Sequence, residues 1–344
     1  MIEQILDELR SKSGSHPETL ARALAGEVHA VQIGSRWEGR VIYVLFSPGA
    51  RGPVGVLKVD HHPTHRSRLL DEWDALTELA RHSAMLGRVP DPLALVSSTA
   101  RVIVAQSVLP GVSLGVRMRR RARPGPRSTA RDHRQVTDWL ALLHSTTTRP
   151  QATQLDADRI IERVDRALPL DVAGRSGFLA DLGAQTRGLS DLVIPSLWSH
   201  SDLGPSNLFV TRERAGVIDW EHGLPQSSPL PDLIGFLTLY ARAVRSRGRS
   251  AVSLEEGFRR AFVTDGWLGR VTAQTLIRDL RRHDLPPEAA QPLLASTLAE
   301  IATGQTAKVL SPQARATWRG LLSVHAVNGR DGVLARAVDD SRRR

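Results

Sequence analysis

Asp202 is followed five residues later by Asn207 and twelve further on by Asp219, all within "HSDLGPSNLFVTRERAGVIDWE" (His200–Glu221). Two carboxylates and an amide at this spacing suit phosphoryl transfer, in which the protein places a hydroxyl in line with a γ-phosphate and neutralises the charge on its oxygens. Asp202 is the candidate to accept or orient the hydroxyl proton, and Asn207 and Asp219 are candidate oxygen ligands for Mg²⁺, an ion that takes one or two carboxylates together with phosphate oxygens. Leu208, Phe209 and Val210 follow Asn207, and Val217 and Ile218 precede Asp219. Both runs read as short buried strands joined by the turn "TRERAG", so the chemistry sits at the two ends of a hairpin.

"HSDLGPSN" followed by "VIDWE" resembles the paired motifs of the aminoglycoside phosphotransferase and choline kinase-like family, small-molecule relatives of the protein kinases. The resemblance implies an α+β, bilobal protein-kinase-like fold, with a small antiparallel-sheet lobe to about residue 109 and a larger, mostly helical lobe over 110–344. It also implies ATP and Mg²⁺ as cofactors. His200 and Asp232 become candidate braces of the loop carrying Asp202, with an ordinary helix N-cap as the other reading of Asp232. The pattern is not followed everywhere: Ser201 stands where glycine is usual, Gly204 where histidine is common, and Ser228 replaces the first Asp of a D-P-x-x-D-L element.

A kinase-like first lobe requires a strand lysine and a helix carboxylate. Lys58 lies inside the apolar run "VGVLKVD", where an ammonium is costly unless it meets phosphate or a carboxylate. Fourteen residues on, Glu72 falls at the edge of the helical stripe Leu69, Trp73, Leu76 and Ala80, with Asp71 and Glu78 as alternatives. Upstream, "VHAVQIGSRWEGRVIYVLF" reads as strand, turn and strand, and Gly34 and Gly39 bound a turn suited to lie over a triphosphate. "DPLALVSS" and "ARVIVAQSVLPG" read as two further strands. By resemblance, the backbone near Gln106 and Val108 is the hinge that holds the adenine edge.

Composition narrows the class. The 344 residues are 41% hydrophobic, contain no cysteine and have no apolar run long enough to span a membrane, which fits a cytoplasmic two-lobed enzyme without disulfides. The amino-terminal "MIEQILDELRSKSG" reads as an amphipathic helix rather than a signal peptide. Eight arginines against one aspartate between Arg117 and Arg134 leave +7, and Arg342, Arg343 and Arg344 supply the rest of the formal +10. Interrupted by two prolines and a glycine, the first of these segments reads as a basic insertion. Arg117, Arg119, Arg120, Arg121 and Arg123 are candidates to dock an anionic partner, or form a solvated surface. Only 4% of residues are aromatic and no nucleic-acid module is evident, which disfavours nucleic acid.

The helical pattern then runs from Asp132 to Pro150 and through Asp156–Leu168, Gly177–Leu189, Asp232–Val244, Leu254–Phe262, Ala273–Arg282, Pro287–Ala302 and Pro312–Val327. Four acceptor readings follow. The leading one is an alcohol hydroxyl of a neutral or anionic small molecule. A second is Ser or Thr of an acidic precursor peptide held on the arginines. An aminoglycoside is a lesser reading, because the clearest acidic pairs, Glu255–Glu256 and Asp339–Asp340, look like helix surface. The last is a catalytically silent binding protein.

Overall fold

The computed structural model describes residues 2–11, 24, 26–33, 40–60, 63–121, 124–147, 152–226, 228, 230–244, 252–304 and 310–343. Two compact units divide the chain: Met1–Gly111 with Phe209–Gly223, and Val112–Leu208 with Leu224–Arg344. The chain first passes from one unit to the other between Gly111 and Val112. The hairpin after Asn207, which the sequence reading left in the second lobe, clusters instead with the amino-terminal unit. Local bonding within that unit supplies the reason: the Val217 N–H donates to the Arg88 carbonyl at 2.8 Å, and the Trp220 N–H donates to Glu72 at 3.4 Å.

The first unit is built on five antiparallel strands, β1 (His29–Ile33), β2 (Arg40–Phe46), β3 (Gly55–Asp60), β4 (Pro92–Ser97) and β5 (Val102–Gln106), in the order β1-β2-β3-β5-β4. Period-two alternation separates its faces. Val41, Tyr43, Leu45, Leu57, Val59, Ile103 and Ala105 form one buried cluster with Ile5, Leu6 and Leu9 of helix α1 (Ile2–Ser11), so the amphipathic amino terminus closes that side. Leu69 of helix α2 (Pro63–Ala80) clusters with Val102 and Val104, with Leu70, Trp73 and Leu95 packed around them. Lys58 pairs in register with Ile42 and Val104, which puts it on the α2 side of the sheet.

The second unit is mostly helical. After the two-residue strand β6 (Val112–Ser113), Ser113 caps helix α3 (Leu114–Arg120), accepting the Val116 N–H at 3.2 Å. Helix α4 (Pro126–Thr147) buries Val136, Trp139, Leu140 and Leu143. It begins six residues before the expected start, because Pro126 suits a first helical turn and the arginines that follow are good helix formers. The basic segment is therefore largely helix rather than loop. Short strands β7 (Ala152–Gln154) and β8 (Val193–Pro195) pair, as do β9 (Leu197–Ser199) and β12 (Leu224–Gln226). Between these lie helices α5 (Ala157–Ala167) and α6 (Arg175–Arg187) and the hairpin strands β10 (Leu208–Val210) and β11 (Ala215–Val217). Helices α7 (Pro231–Ala243), α8 (Leu254–Phe258), α9 (Trp267–Arg282), α10 (Ala290–Thr303), α11 (Pro312–Asn328) and α12 (Val333–Arg342) complete the unit, and a π-helical turn, Arg259–Val263, extends α8.

An antiparallel sheet unit and a mostly helical unit make the expected α+β class. Among the described residues, no helix is long and apolar enough to cross a membrane.

Candidate active site

The candidate residues fall in two groups, one in each unit. In the first unit, Lys58 is buried, and its Nζ donates to both oxygens of the buried Glu72 at 2.6 and 2.8 Å. The same ammonium donates to Asp219 Oδ1 at 2.8 Å. Burial alone would push the lysine pKa down, but the carboxylates of Glu72 and Asp219 outweigh it, so Lys58 sits above its ordinary value and stays charged. Glu72 also accepts the Trp220 N–H, and Trp220 is fully buried with its ring nitrogen donating to the Val217 carbonyl at 3.0 Å. The "DWE" tripeptide is thus anchored on both sides of its tryptophan. Asp71, one alternative to Glu72, is exposed on α2, and Glu78 forms a surface pair with Arg81.

Two residues of this network were not picked out from the sequence. Arg40, at the start of β2, is ion-paired with Glu221, and its Nη2 lies 3.4 Å from Asp219 Oδ2. The available signal is strand alternation: Arg40 and Ile42 share a face, and Ile42 lies opposite Lys58. Glu221 is held below its usual value: burial pushes it up, but a hydrogen bond from His222 and the charge of Arg40 prevail.

The hinge candidates lie at the end of β5. Gln106 pairs with Val56 and Pro92 and is buried, and its Oε1 finds no partner among the described residues. Val108 is half-buried. The neighbouring Ser107 hydroxyl bonds Asp91 at 3.0 Å and accepts its N–H at 2.8 Å, tying the ends of β4 and β5 together. Gly111 closes this stretch at φ +102, where a Cβ would come within 2.5 Å of the Val210 carbonyl oxygen, so only glycine fits. Gly34 and Gly39 lie outside the described residues.

In the second unit, Asp232 accepts the backbone N–H groups of His200 at 2.6 Å and Ser201 at 2.8 Å. It is not the N-cap of α7, a position taken by Leu230. The buried His200 accepts the Asp202 N–H at its Nδ1, 3.3 Å away. The Asn207 amide donates to the Asp202 carbonyl at 3.1 Å, while the Asn207 and Leu208 N–H groups both turn back to the Gly204 carbonyl. The loop around Asp202 is therefore held by side chains at both ends.

Backbone strain concentrates here. Among the described residues, only Ser201 (φ 61), Asp219 (φ 72) and Asp284 (φ 56) are non-glycines in the left-handed region. Such conformations cost on the order of 1 kcal/mol or more and persist where surrounding bonds impose them. Ser201 occupies the place where glycine is usual in the resembled motif, and Asp232 fixes its N–H.

The donors suit Mg²⁺. Asn207 Nδ2 is spent on the Asp202 carbonyl, which leaves Oδ1 as the amide's hard oxygen, and Asp219 offers a carboxylate that is 18% exposed. No cluster of three or more His, Asp or Glu among the described residues is placed to hold a metal alone. Either donor taken alone would leave most of an ion's coordination to phosphate oxygens and water.

The arginines divide into two sets. Arg117 and Arg121 donate to the buried Asp132 of α4 at 2.7 and 2.9 Å, and the Tyr240 hydroxyl donates to the same carboxylate at 2.7 Å. These two are therefore ties between α3, its C-terminal residue and α4, and Asp132 offsets one of their two charges. Arg119 and Arg120 are exposed, and Arg123 lies outside the described residues.

The family model for the phosphotransferase enzyme family (APH) matches residues 29–261. The chain belongs to that family. No curated protein matches the sequence. Among solved structures, the aminoglycoside phosphotransferase APH(3'')-Id from Streptomyces rimosus, in complex with ADP and streptomycin, is 13% identical, with 89% of this chain and 96% of that chain covered and a TM-score of 0.46. The amicoumacin kinase hAmiN, in complex with AMP-PNP, Ca²⁺ and Ami, is 12% identical, with 91% and 95% covered and a TM-score of 0.47. The GDP and kanamycin complex of APH(2")-IIia is 15% identical, with 88% and 93% covered and a TM-score of 0.44.

Proposed function

We propose that this member of the phosphotransferase family moves the γ-phosphate of ATP, with Mg²⁺, onto an alcohol hydroxyl of a neutral or anionic small molecule. The observation that carries the reading is the buried Lys58 ammonium, held in two-point contact by Glu72 and bonded also to Asp219. A buried cation so oriented is suited to phosphate oxygens, with Glu72 as the fixed partner and Asp219 as the carboxylate shared with the metal. Asn207 Oδ1 and Asp219 would hold Mg²⁺, which supplies charge neutralisation at the β- and γ-phosphates. Asp202 orients the acceptor hydroxyl and takes its proton as the oxygen bonds to phosphorus. His200 and Asp232 position the Asp202 loop through the bonds to its backbone. Gln106 and Val108 would meet the adenine edge through their backbone, and Gly34 and Gly39 would bound the turn over the triphosphate.

The test is Mg²⁺-dependent transfer or slow hydrolysis of γ-labelled ATP. Asp202→Asn should lower turnover by about 10²–10⁴ with nucleotide binding retained, and Asp219→Asn should abolish both turnover and the metal dependence of nucleotide binding. Equal inactivity of wild type and both variants, with no metal-dependent nucleotide binding, would mark a catalytically silent binding protein.

A further inference from the structure

The second unit contains a cavity of about 150 Å³ with Asp202 in its wall. Larger hollows of about 390 and 890 Å³ elsewhere in this unit include none of the candidate catalytic or metal residues. Leu239 of α7, Leu254 of α8, Ile301 of α10 and Trp318 of α11 also line it, each half-buried, and Ser201 adds a hydroxyl beside Asp202. Asp232 also lines it, but both of its oxygens are committed to backbone N–H groups of the catalytic loop. The cavity thus joins the candidate catalytic carboxylate to a wall that is mainly aliphatic and aromatic.

Such a wall selects by chemistry. A polycation would lose hydration against leucine, isoleucine and tryptophan, and among the described residues Asp202 and Asp232 are the carboxylates that line the hollow. The acidic pair that could have served it, Glu255–Glu256, is already matched to Arg259 and Arg260 at 3.0 and 2.7 Å. An apolar group gains instead, roughly fourfold in affinity for each methylene removed from water. A hollow of about 150 Å³ takes one benzene-sized group.

We infer that the acceptor is an uncharged alcohol bearing a compact aliphatic or aromatic group, which seats among Leu239, Leu254, Ile301 and Trp318 and presents its hydroxyl to Asp202. The inference rests on the phosphotransferase reading. In the reaction, the hydroxyl oxygen bonds to the γ-phosphorus, the bond from that phosphorus to the β–γ bridging oxygen breaks with its electron pair leaving on ADP, and the hydroxyl proton passes to Asp202.

Benzyl alcohol is the probe, observed by saturation-transfer NMR on the full chain with and without Mg-ATP, with streptomycin as the polycationic competitor. Wild type should give a saturable benzyl alcohol signal that streptomycin does not displace. Leu239→Asp and Trp318→Ala should each weaken binding at least tenfold, with thermal melting used to confirm that both variants are folded. Absence of binding to wild type, unchanged binding in both folded variants, or displacement by streptomycin overturns the assignment. ATP hydrolysis separates the two levels. Hydrolysis without alcohol binding removes the cavity inference alone, whereas alcohol binding in a protein that neither binds nor hydrolyses ATP removes the acceptor role by way of the function.

Discussion

Arg40 and Lys58 each contact Asp219, and Glu72 and Glu221 hold the two cations from behind. A triphosphate that shares a metal with Asp219 would bring its oxygens to both. Arg40→Gln should therefore weaken Mg-ATP binding by about 10- to 100-fold, the range for losing a charge-assisted hydrogen bond, with little change in melting temperature. Titration calorimetry checks it, and unchanged affinity would leave Arg40 as a structural partner of Glu221 and Asp219. Lys58 was legible in the sequence because a charge inside an apolar run needs an explanation, and Asp219 because of its spacing from Asp202 and Asn207. Arg40 and Glu221 were not, since each sits at the edge of its run, where a solvated charge is ordinary. Ser201 was legible only as a departure from a motif; its φ of 61 shows that the position keeps a glycine-like backbone while carrying a side chain.

Element positions followed from periodicity wherever one face was apolar, as with α2, α4, α7 and α11. Helix α12 was not given bounds, although Asp339–Asp340 read as helix surface, because only Val333, Leu334 and Val338 mark its buried face. The short strands β7, β8, β9 and β12 were also missed, being three residues each and too brief to show alternation. Within α9, Asp279 is buried, neither of its oxygens has a hydrogen-bond partner among the described residues, Arg282 stabilises its anion, and His283 Nε2 lies 4.0 Å away. Burial pushes its pKa from 3.8 up to about 7 despite Arg282. The folded chain therefore binds a proton that the unfolded chain has lost, so stability is fullest below the unfolded pKa near 4 and declines as pH rises through about 7. The decline is on the order of 4 kcal/mol at most. Asp279→Asn should flatten it, raising the melting temperature more at pH 8 than at pH 5. An equal shift at the two values would exclude a protonated Asp279 in the folded protein and with it the raised pKa.

At the scale of the whole molecule, the +7 segment is not one surface. Arg117→Gln with Arg121→Gln should destabilise by several kcal/mol, because they leave the carboxylate of Asp132 buried with Tyr240 as its main donor. Arg119→Gln with Arg120→Gln should leave the melting temperature within about 1 °C while flattening any salt dependence of acceptor KM between 50 and 300 mM. Salt dependence that survives in that variant would return both residues to plain solvated surface. Sheet unit and helical unit were legible as classes from the change of period along the chain. The return of 209–223 to the first unit was not, because no local pattern records which distant backbone groups a hairpin will satisfy. Since that unit takes strands from before residue 111 and its closing hairpin from after 208, no fragment ending at Gly111 contains all of it. A ribosome releases the segments in order, so Glu72 must wait for Trp220 to be synthesised before its last backbone donor exists. Maturation of the first unit is thereby coupled to translation through the whole of the long α4–α6 stretch.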